Sequence, residues 1–124
     1  DFKRRVVTLS NSGMPYPLRY SGGECSSIEI PGVPLGSFAG VSYDEMTFAL
    51  HAGDVFVFCT DGIFEARGAD GSDFGTARLR AVVSAHATEP ARQIVDAIFD
   101  AVHTFRGERR QDDDLTVVVV SITG

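Results

Sequence analysis

The chain has 124 residues, of which 44% are hydrophobic and 23% are charged. These values are typical of one globular domain or part of one, and they exclude extensive disorder. The net charge is −6, and the only basic clusters, at residues 3–5 and 106–110, are short and flanked by acids. This balance argues against a nucleic-acid partner. No apolar run approaches the roughly 20 residues that a membrane span requires, so we expect no membrane insertion.

The N-terminal residues indicate how the chain is processed, and the cysteines indicate its redox compartment. The sequence starts at Asp1 rather than Met, and its first residues lack the apolar core of a signal peptide. We therefore expect a processed chain or a fragment. Cys25 and Cys59 form neither a CxxC motif nor a disulfide framework. A reducing, cytoplasmic location is the prediction.

The first part of the chain predicts short antiparallel strands. Residues 5–10 are rich in β-branched side chains, and residues 18–20 form a second strand. Residues 21–24 predict a glycine turn, with residues 27–30 as the returning strand. Residues 31–36 contain two prolines and two glycines and predict a stiff loop.

The middle of the chain predicts a hairpin. Residues 43–50 alternate apolar and polar side chains, which is typical of a half-buried strand. Residues 51–54 predict a tight turn into the apolar strand 55–60, and we expect these two strands to pair. Residues 62–75 contain four glycines and several acids and predict a surface loop.

Two amphipathic helices and a strand are predicted to follow. Thr76 is the expected N-cap of the first helix, and Thr88 that of the second, with Pro90 in its first turn. Gly107 is the expected stop of the second helix. The apolar stripes are Leu79, Val82, Val83 and His86 in the first helix and Ile94, Ala97, Ile98, Ala101, Val102 and Phe105 in the second. With a last strand at 116–122, the order predicts one α+β unit with helices on one face of a sheet.

Aspartates stand at the ends of the two most apolar strands. Asp61 follows strand 55–60, and Asp112, Asp113 and Asp114 precede the valine run 117–120. If these strands pair antiparallel, Asp61 and Asp113 meet at one edge of the sheet. Carboxylate oxygens so placed suit a hard divalent cation such as Mg²⁺ or Mn²⁺. The alternative is that Asp112 to Asp114 form a solvated turn and that Asp61 begins an Asp-Gly turn.

Other chemistry has little support in the sequence. His51, His86 and His103 have no second His or Cys at ligand spacing, so we expect surface or structural roles for them. No glycine-rich phosphate loop opens a helix, and no serine lies in a nucleophile-elbow motif.

Several short motifs occur in a family-specific order. They are Asn11-Ser12-Gly13, Pro31-Gly32-Val33-Pro34-Leu35-Gly36, Thr60-Asp61-Gly62 with Glu65-Ala66-Arg67, Phe74-Gly75 and the segment from Gln111 to Thr116. Each motif is weak alone, but the ordered set covers nearly the whole chain. It resembles the C-terminal half of a metal-dependent protein phosphatase of the PPM (type 2C) family, and more closely its bacterial SpoIIE/RsbU-type branch.

The resemblance implies a fold, a reaction and a partner. The fold would be an antiparallel β-sandwich flanked by helices, and residues 1–124 would be the C-terminal portion of the domain. Two Mn²⁺ or Mg²⁺ ions would support hydrolysis of phosphoserine or phosphothreonine, with a metal-bound water rather than a side chain as nucleophile. Asp61 and Asp113 match metal-binding aspartates of the family. Asp112 and Asp114 match less clearly, as residues beside the ligands or in solvent.

In this branch the implied substrate is a phosphorylated anti-sigma-factor antagonist, a small STAS-domain protein in a stress or sporulation switch. Two departures from the pattern favour an alternative. Met14 stands where the branch usually has His, and the family's N-terminal half, with its metal-bridging aspartate, has no counterpart here. We therefore expect this portion alone to lack activity. The alternative function is a degenerate module that binds a regulatory partner without turnover, and self-association or pairing with the missing half is a further expectation.

Overall fold

A computed structural model describes residues 6–10, 15–29, 45–107 and 115–123 of the chain. The strands in these ranges are β1 (Val6–Ser10), β2 (Leu18–Ser21), β3 (Glu24–Ser27), β4 (Glu45–Ala49), β5 (Val55–Cys59) and β6 (Val117–Ser121). The helices are α1 (Asp61–Phe64), α2 (Gly75–His86) and α3 (Ala91–Arg106). Within the described ranges, no helix has the length and apolar character to span a membrane.

The described strands form two antiparallel sheets. One sheet has the order β3-β2-β5-β6, and the other pairs β1 with β4. β5 is bonded on both sides, and Cys59 lies opposite Val117 in its pairing with β6. The predicted antiparallel pairing of the two most apolar strands is therefore confirmed.

Helices α2 and α3 cover one face of the four-stranded sheet. Their inward side chains are almost fully buried: Leu79, Val83, Ile94, Ile98 and Val102. Burial of each large apolar side chain contributes about 1.5–3 kcal/mol relative to exposure. The predicted α+β class, with helices packed on one face, is confirmed. On the opposite face of β6, Val118 and Val120 are 49% and 42% exposed.

The predicted hairpin between residues 43–50 and 55–60 is wrong. The tight turn forms, with Asp54 N donating to His51 O at 3.0 Å, and Gly53 takes a positive φ of 91°. However, β4 pairs with β1, while both edges of β5 are occupied by β2 and β6. A strand has only two hydrogen-bonding edges, so the turn passes the chain from one sheet to the other.

Three local predictions also differ from the structure. β3 begins at Glu24, directly after Gly22 and Gly23, because positive φ at both glycines closes a two-residue turn. α2 begins one residue before Thr76, which therefore lies inside the first turn and is not its N-cap. Pro90 rather than Thr88 is the N-cap of α3. The predicted end of α3 at Gly107 is confirmed.

Both cysteines are free and buried. Cys59 is the last residue of β5 and belongs to the hydrophobic core, and burial raises the pKa of its thiol to about 12. Burial likewise raises the pKa of Cys25, although the charge of Arg80 and a hydrogen bond with Ser84 oppose the shift. The thiolate is therefore disfavoured at both positions, as expected of cysteines that act as small hydrophobic side chains.

Gly68 lies where the loop after α1 passes under α3. A Cβ atom at this position would be 2.7 Å from Cζ of Phe105. The Phe105 ring cannot move freely, because it packs edge-on against Phe74 with centroids 5.5 Å apart and carries the Arg78 guanidinium 4.4 Å above its centroid. We expect Gly68→Ala to lower the free energy of unfolding by about 1–3 kcal/mol.

Urea unfolding followed by circular dichroism would measure this loss. Gly68→Ala combined with Phe105→Leu should cost less than the sum of the two single changes, because the smaller side chain makes room for the methyl group. Wild-type stability of Gly68→Ala would show that the loop and the ring can separate without cost.

Candidate metal site at the end of β5

Asp61 stands at the point where β5 gives way to α1. Thr60 is still extended, with φ −80° and ψ 166°, and the chain then turns sharply. Ile63 N donates to Thr60 O at 3.1 Å, and Glu65 N donates to Asp61 O at 2.8 Å. Ile63 is fully buried, whereas Asp61 is exposed. The backbone of Asp61 is thus anchored in the core while its carboxylate meets solvent.

The sequence pattern predicts a surface loop over residues 62–75 and does not reveal α1, whose last three residues lie in that segment. The available signal was the apolar pair Ile63-Phe64, too short a segment to predict a helix from periodicity. The rest of the segment is compact: Phe74 N donates to Ala66 O at 2.7 Å, and Gly68 N donates to Ser72 O at 2.9 Å.

Two hydrogen bonds hold Thr116, the residue before β6, beside Thr60. Thr60 N donates to Thr116 O at 3.1 Å. Thr116 N in turn donates to the side-chain Oγ1 of Thr60, also at 3.1 Å. Thr116 therefore lies opposite Thr60, and Asp61 is at the same end of the sheet as the entrance of β6.

The other aspartates of the predicted site are Asp113, the second predicted ligand, and Asp112 and Asp114 beside it. Asp112, Asp113 and Asp114 precede Leu115 in the sequence, and they lie outside the described residues, as does Met14. Their roles stay predictions. No group of three or more His, Cys, Asp or Glu side chains that could hold a metal ion occurs within the described ranges.

The described residues fit a hard cation only in part. Asp61 offers exposed carboxylate oxygens on a rigid backbone, the donor type that Mg²⁺ and Mn²⁺ prefer. A complete site needs further oxygen ligands from outside the described ranges.

The sequence pattern did not predict a buried acid at the opposite end of β5. Asp54 is 2% exposed, and its carboxylate accepts hydrogen bonds from Ser21 Oγ at 2.6 Å, Arg19 Nη2 at 3.0 Å and His51 N at 3.1 Å. Arg19 Nη2 also donates to Ala49 O at 2.8 Å. The network ties β2 to the turn that leads from β4 into β5.

The charge state of Asp54 follows from these contacts. Burial alone would raise the pKa of the carboxyl group. The hydrogen bonds from Ser21, Arg19 and His51 and the charge of Arg19 outweigh burial and hold the pKa of Asp54 below its ordinary value. Asp54 is thus a buried anion with a complete set of partners, which is typical of a structural ion pair.

The histidines occupy the surface, as predicted. His51 and His103 are exposed. His86 is 38% exposed, and its Nδ1 pairs with Glu89 Oε2 three residues further on.

An open, mainly apolar groove of about 500 Å³ lies between α2 and α3. Arg78 at its edge is engaged by the Phe105 ring and donates to the carbonyl oxygens of Asp73 and Phe74 at 2.9 and 3.0 Å. The groove belongs to the helical layer, whereas Asp61 lies at the sheet end.

Comparison with known proteins identifies the family. The family model for SpoIIE, Stage II sporulation protein E, matches residues 1–123. Comparison with curated protein sequences gave no significant match.

Solved structures share the fold. The SiaA-PP2C domain of Pseudomonas aeruginosa is 24% identical, with a TM-score of 0.83 over 98% of this chain and 48% of that one. A SpoIIE structure from Bacillus subtilis, holding the PP2C phosphatase domain and a fragment of the regulatory domain, is 22% identical, with a TM-score of 0.83 over 98% and 35%. The RsbU and RsbW domains of Rv1364c from Mycobacterium tuberculosis are 23% identical, with a TM-score of 0.74 over 99% and 34%.

The chain thus spans less than half the length of each of these three structures. At such identities the likeness establishes the fold, and the predicted PPM-like architecture is confirmed. The family model covers nearly every residue, and the chain therefore belongs to the SpoIIE family.

Proposed function

We propose that the protein is a metal-dependent phosphatase that hydrolyses phosphoserine or phosphothreonine on a regulatory protein. The observation that carries the proposal is the register of β5 against β6, in which Thr60 lies opposite Thr116. This register puts Asp61 at the end of the sheet where β6 begins, and the Asp112–Asp114 segment precedes β6 in the sequence. Membership of the SpoIIE family and the PP2C fold of its structural relatives support the same reading.

In this proposal Asp61 and Asp113 are ligands of Mn²⁺ or Mg²⁺, and Asp112 and Asp114 lie beside them. When bound, such ions stabilise negative charge on the phosphoryl group and make a water more acidic. The described part of the chain contributes the Asp61 carboxylate, which it holds at the end of β5. Asp61 is suited to this role because its backbone is fixed by Ile63 in the core.

The length comparison supports a division of the site between this portion and the rest of a domain. We infer that residues 1–124 are the C-terminal portion of a PP2C-type domain, because their motif order resembles the C-terminal half of the family and the chain covers 48% of the SiaA domain. The remaining metal ligands, including the metal-bridging aspartate of the family, would come from the N-terminal half. Pairing with that half is accordingly the expected contact, with self-association as the alternative.

The proposed substrate is a phosphorylated STAS-domain anti-sigma-factor antagonist in the cytoplasm. Support comes from the SpoIIE/RsbU-type motif order and from the structural likeness to a protein with RsbU and RsbW domains. The second candidate is a phosphatase-like module that binds such a partner without turnover. It is favoured by Met14 in place of the usual His.

Metal-dependent hydrolysis tests the proposal. We expect the full-length protein to release phosphate from p-nitrophenyl phosphate and from phosphorylated STAS-domain proteins when Mn²⁺ or Mg²⁺ is present. EDTA should abolish the activity and added Mn²⁺ should restore it, because in this proposal the bound ions neutralise negative charge on the phosphoryl group. Tight binding of a phosphorylated partner with no phosphate release at any metal concentration would establish the binding module instead.

A further inference from the structure

At the junction of β5 and α1, Thr60 makes hydrogen bonds with both its backbone and its side chain. At every second position of a regular antiparallel pair, the two opposite residues exchange two backbone hydrogen bonds. Here Thr60 N donates to Thr116 O in the regular way, but Thr116 N donates to the Thr60 side chain. The Thr60 carbonyl oxygen instead accepts from Ile63 N at 3.1 Å.

The hydroxyl oxygen thereby replaces the backbone carbonyl in the sheet. This exchange lets the chain leave β5 and begin a helical turn at Asp61 without losing the bond to Thr116. Thr60 makes no side-chain cap to α1, and its Oγ1 accepts from the backbone of Thr116 beside β6. A side chain without an oxygen at this position would leave the Thr116 amide without this acceptor.

We propose that Thr60 is a positioning residue of the metal site, a role that rests on the proposed function. Its backbone places Asp61 in the first turn of α1, and its hydroxyl oxygen holds Thr116 at the entrance of β6. The same residue therefore sets the distance between Asp61 and the strand that follows the acidic segment. Residues that hold ligands in place typically change metal affinity by about 10–100-fold when they are mutated.

The test compares Thr60→Val, Thr60→Ala and Thr60→Ser in the full-length protein. Val keeps the β-branched shape without the oxygen, and Ser keeps the oxygen without the methyl group. We expect Val and Ala to weaken Mn²⁺ binding by about tenfold or more, measured by calorimetry, and Ser to retain most of the affinity. Thr88→Val, at an exposed position between α2 and α3, is the matched control and should bind Mn²⁺ normally.

Amide hydrogen exchange at Thr116 gives a second readout that does not depend on metal. Its exchange rate should rise in Val and Ala and stay near wild type in Ser. If Thr60→Val does not fold, the Ala and Ser variants decide the question by the same two measurements. A merely structural Thr60 would lower the melting temperature and leave the Mn²⁺ affinity of the folded protein unchanged, which would overturn the inference.

Asp61→Asn separates this inference from the proposed function. If Asp61→Asn loses Mn²⁺ affinity while Thr60→Val binds as wild type, the positioning role is wrong and the metal site stands. If Asp61→Asn itself binds Mn²⁺ as wild type, the proposed metal site is wrong, and the role of Thr60 falls with it.

Discussion

Asp61→Asn should reduce Mn²⁺-dependent phosphatase activity at least about a hundredfold, since even residues that only support metal ligands can cost this much. Asn keeps the size of the side chain but removes its charge. The fold should survive, because Asp61 is exposed and the core contact of α1 is made by Ile63.

Steady-state kinetics with p-nitrophenyl phosphate over a range of Mn²⁺ concentrations would measure the effect. Asp113→Asn should show a comparable loss, because it is the second predicted ligand. Asp96→Asn makes the same chemical change at an exposed position of α3 and should leave kcat and the Mn²⁺ requirement intact. Wild-type activity in Asp61→Asn would show that the cation is held elsewhere.

The fold was predictable from the sequence wherever local pattern decides the structure. The stripe through Ile94, Ile98 and Val102 identified α3 and its buried face, and Gly107 marked its end. Strand pairing was less accessible, because alternation identifies a strand but not its partner. Residues 43–50 and 55–60 are neighbours in sequence, which favours a hairpin. The structure instead gives both edges of β5 to β2 and β6.

In the candidate site, too, local features could be predicted from the sequence and contacts between distant residues could not. The position of Asp61 at the sheet end could be predicted because it directly follows an apolar strand, whereas its role as a metal ligand stays a prediction. The role of Thr60 could not be predicted, because its partner Thr116 is 56 residues away and the contact depends on the register of two strands. The Asp54 network is equally non-local, since Arg19 and Ser21 lie 35 and 33 residues from it. An aspartate in a glycine turn is ordinarily a solvated residue.

That network should make the largest single contribution to stability among the polar contacts described. We expect Asp54→Ala to lower the free energy of unfolding by about 3 kcal/mol, because it leaves the partly buried Arg19 without its carboxylate. Asp54→Asn should cost about 1–2 kcal/mol, since an amide can still hydrogen-bond to Ser21 and Arg19. Asp96→Ala, the exposed control, should stay within about 0.5 kcal/mol of wild type.

The pH dependence of this difference tests its electrostatic origin. Folding holds the pKa of Asp54 below the ordinary 3.8, so the native state favours the ionised form. The resulting stabilisation is complete above pH 3.8 and is lost as the pH falls through the lower, folded pKa. Urea unfolding at pH 7 and at successively lower pH should therefore show the gap between wild type and Asp54→Ala narrowing in acid. A gap that stays constant below pH 3.8 would assign the loss to packing, because neutral Asp54 would then stabilise the turn as well as the anion does.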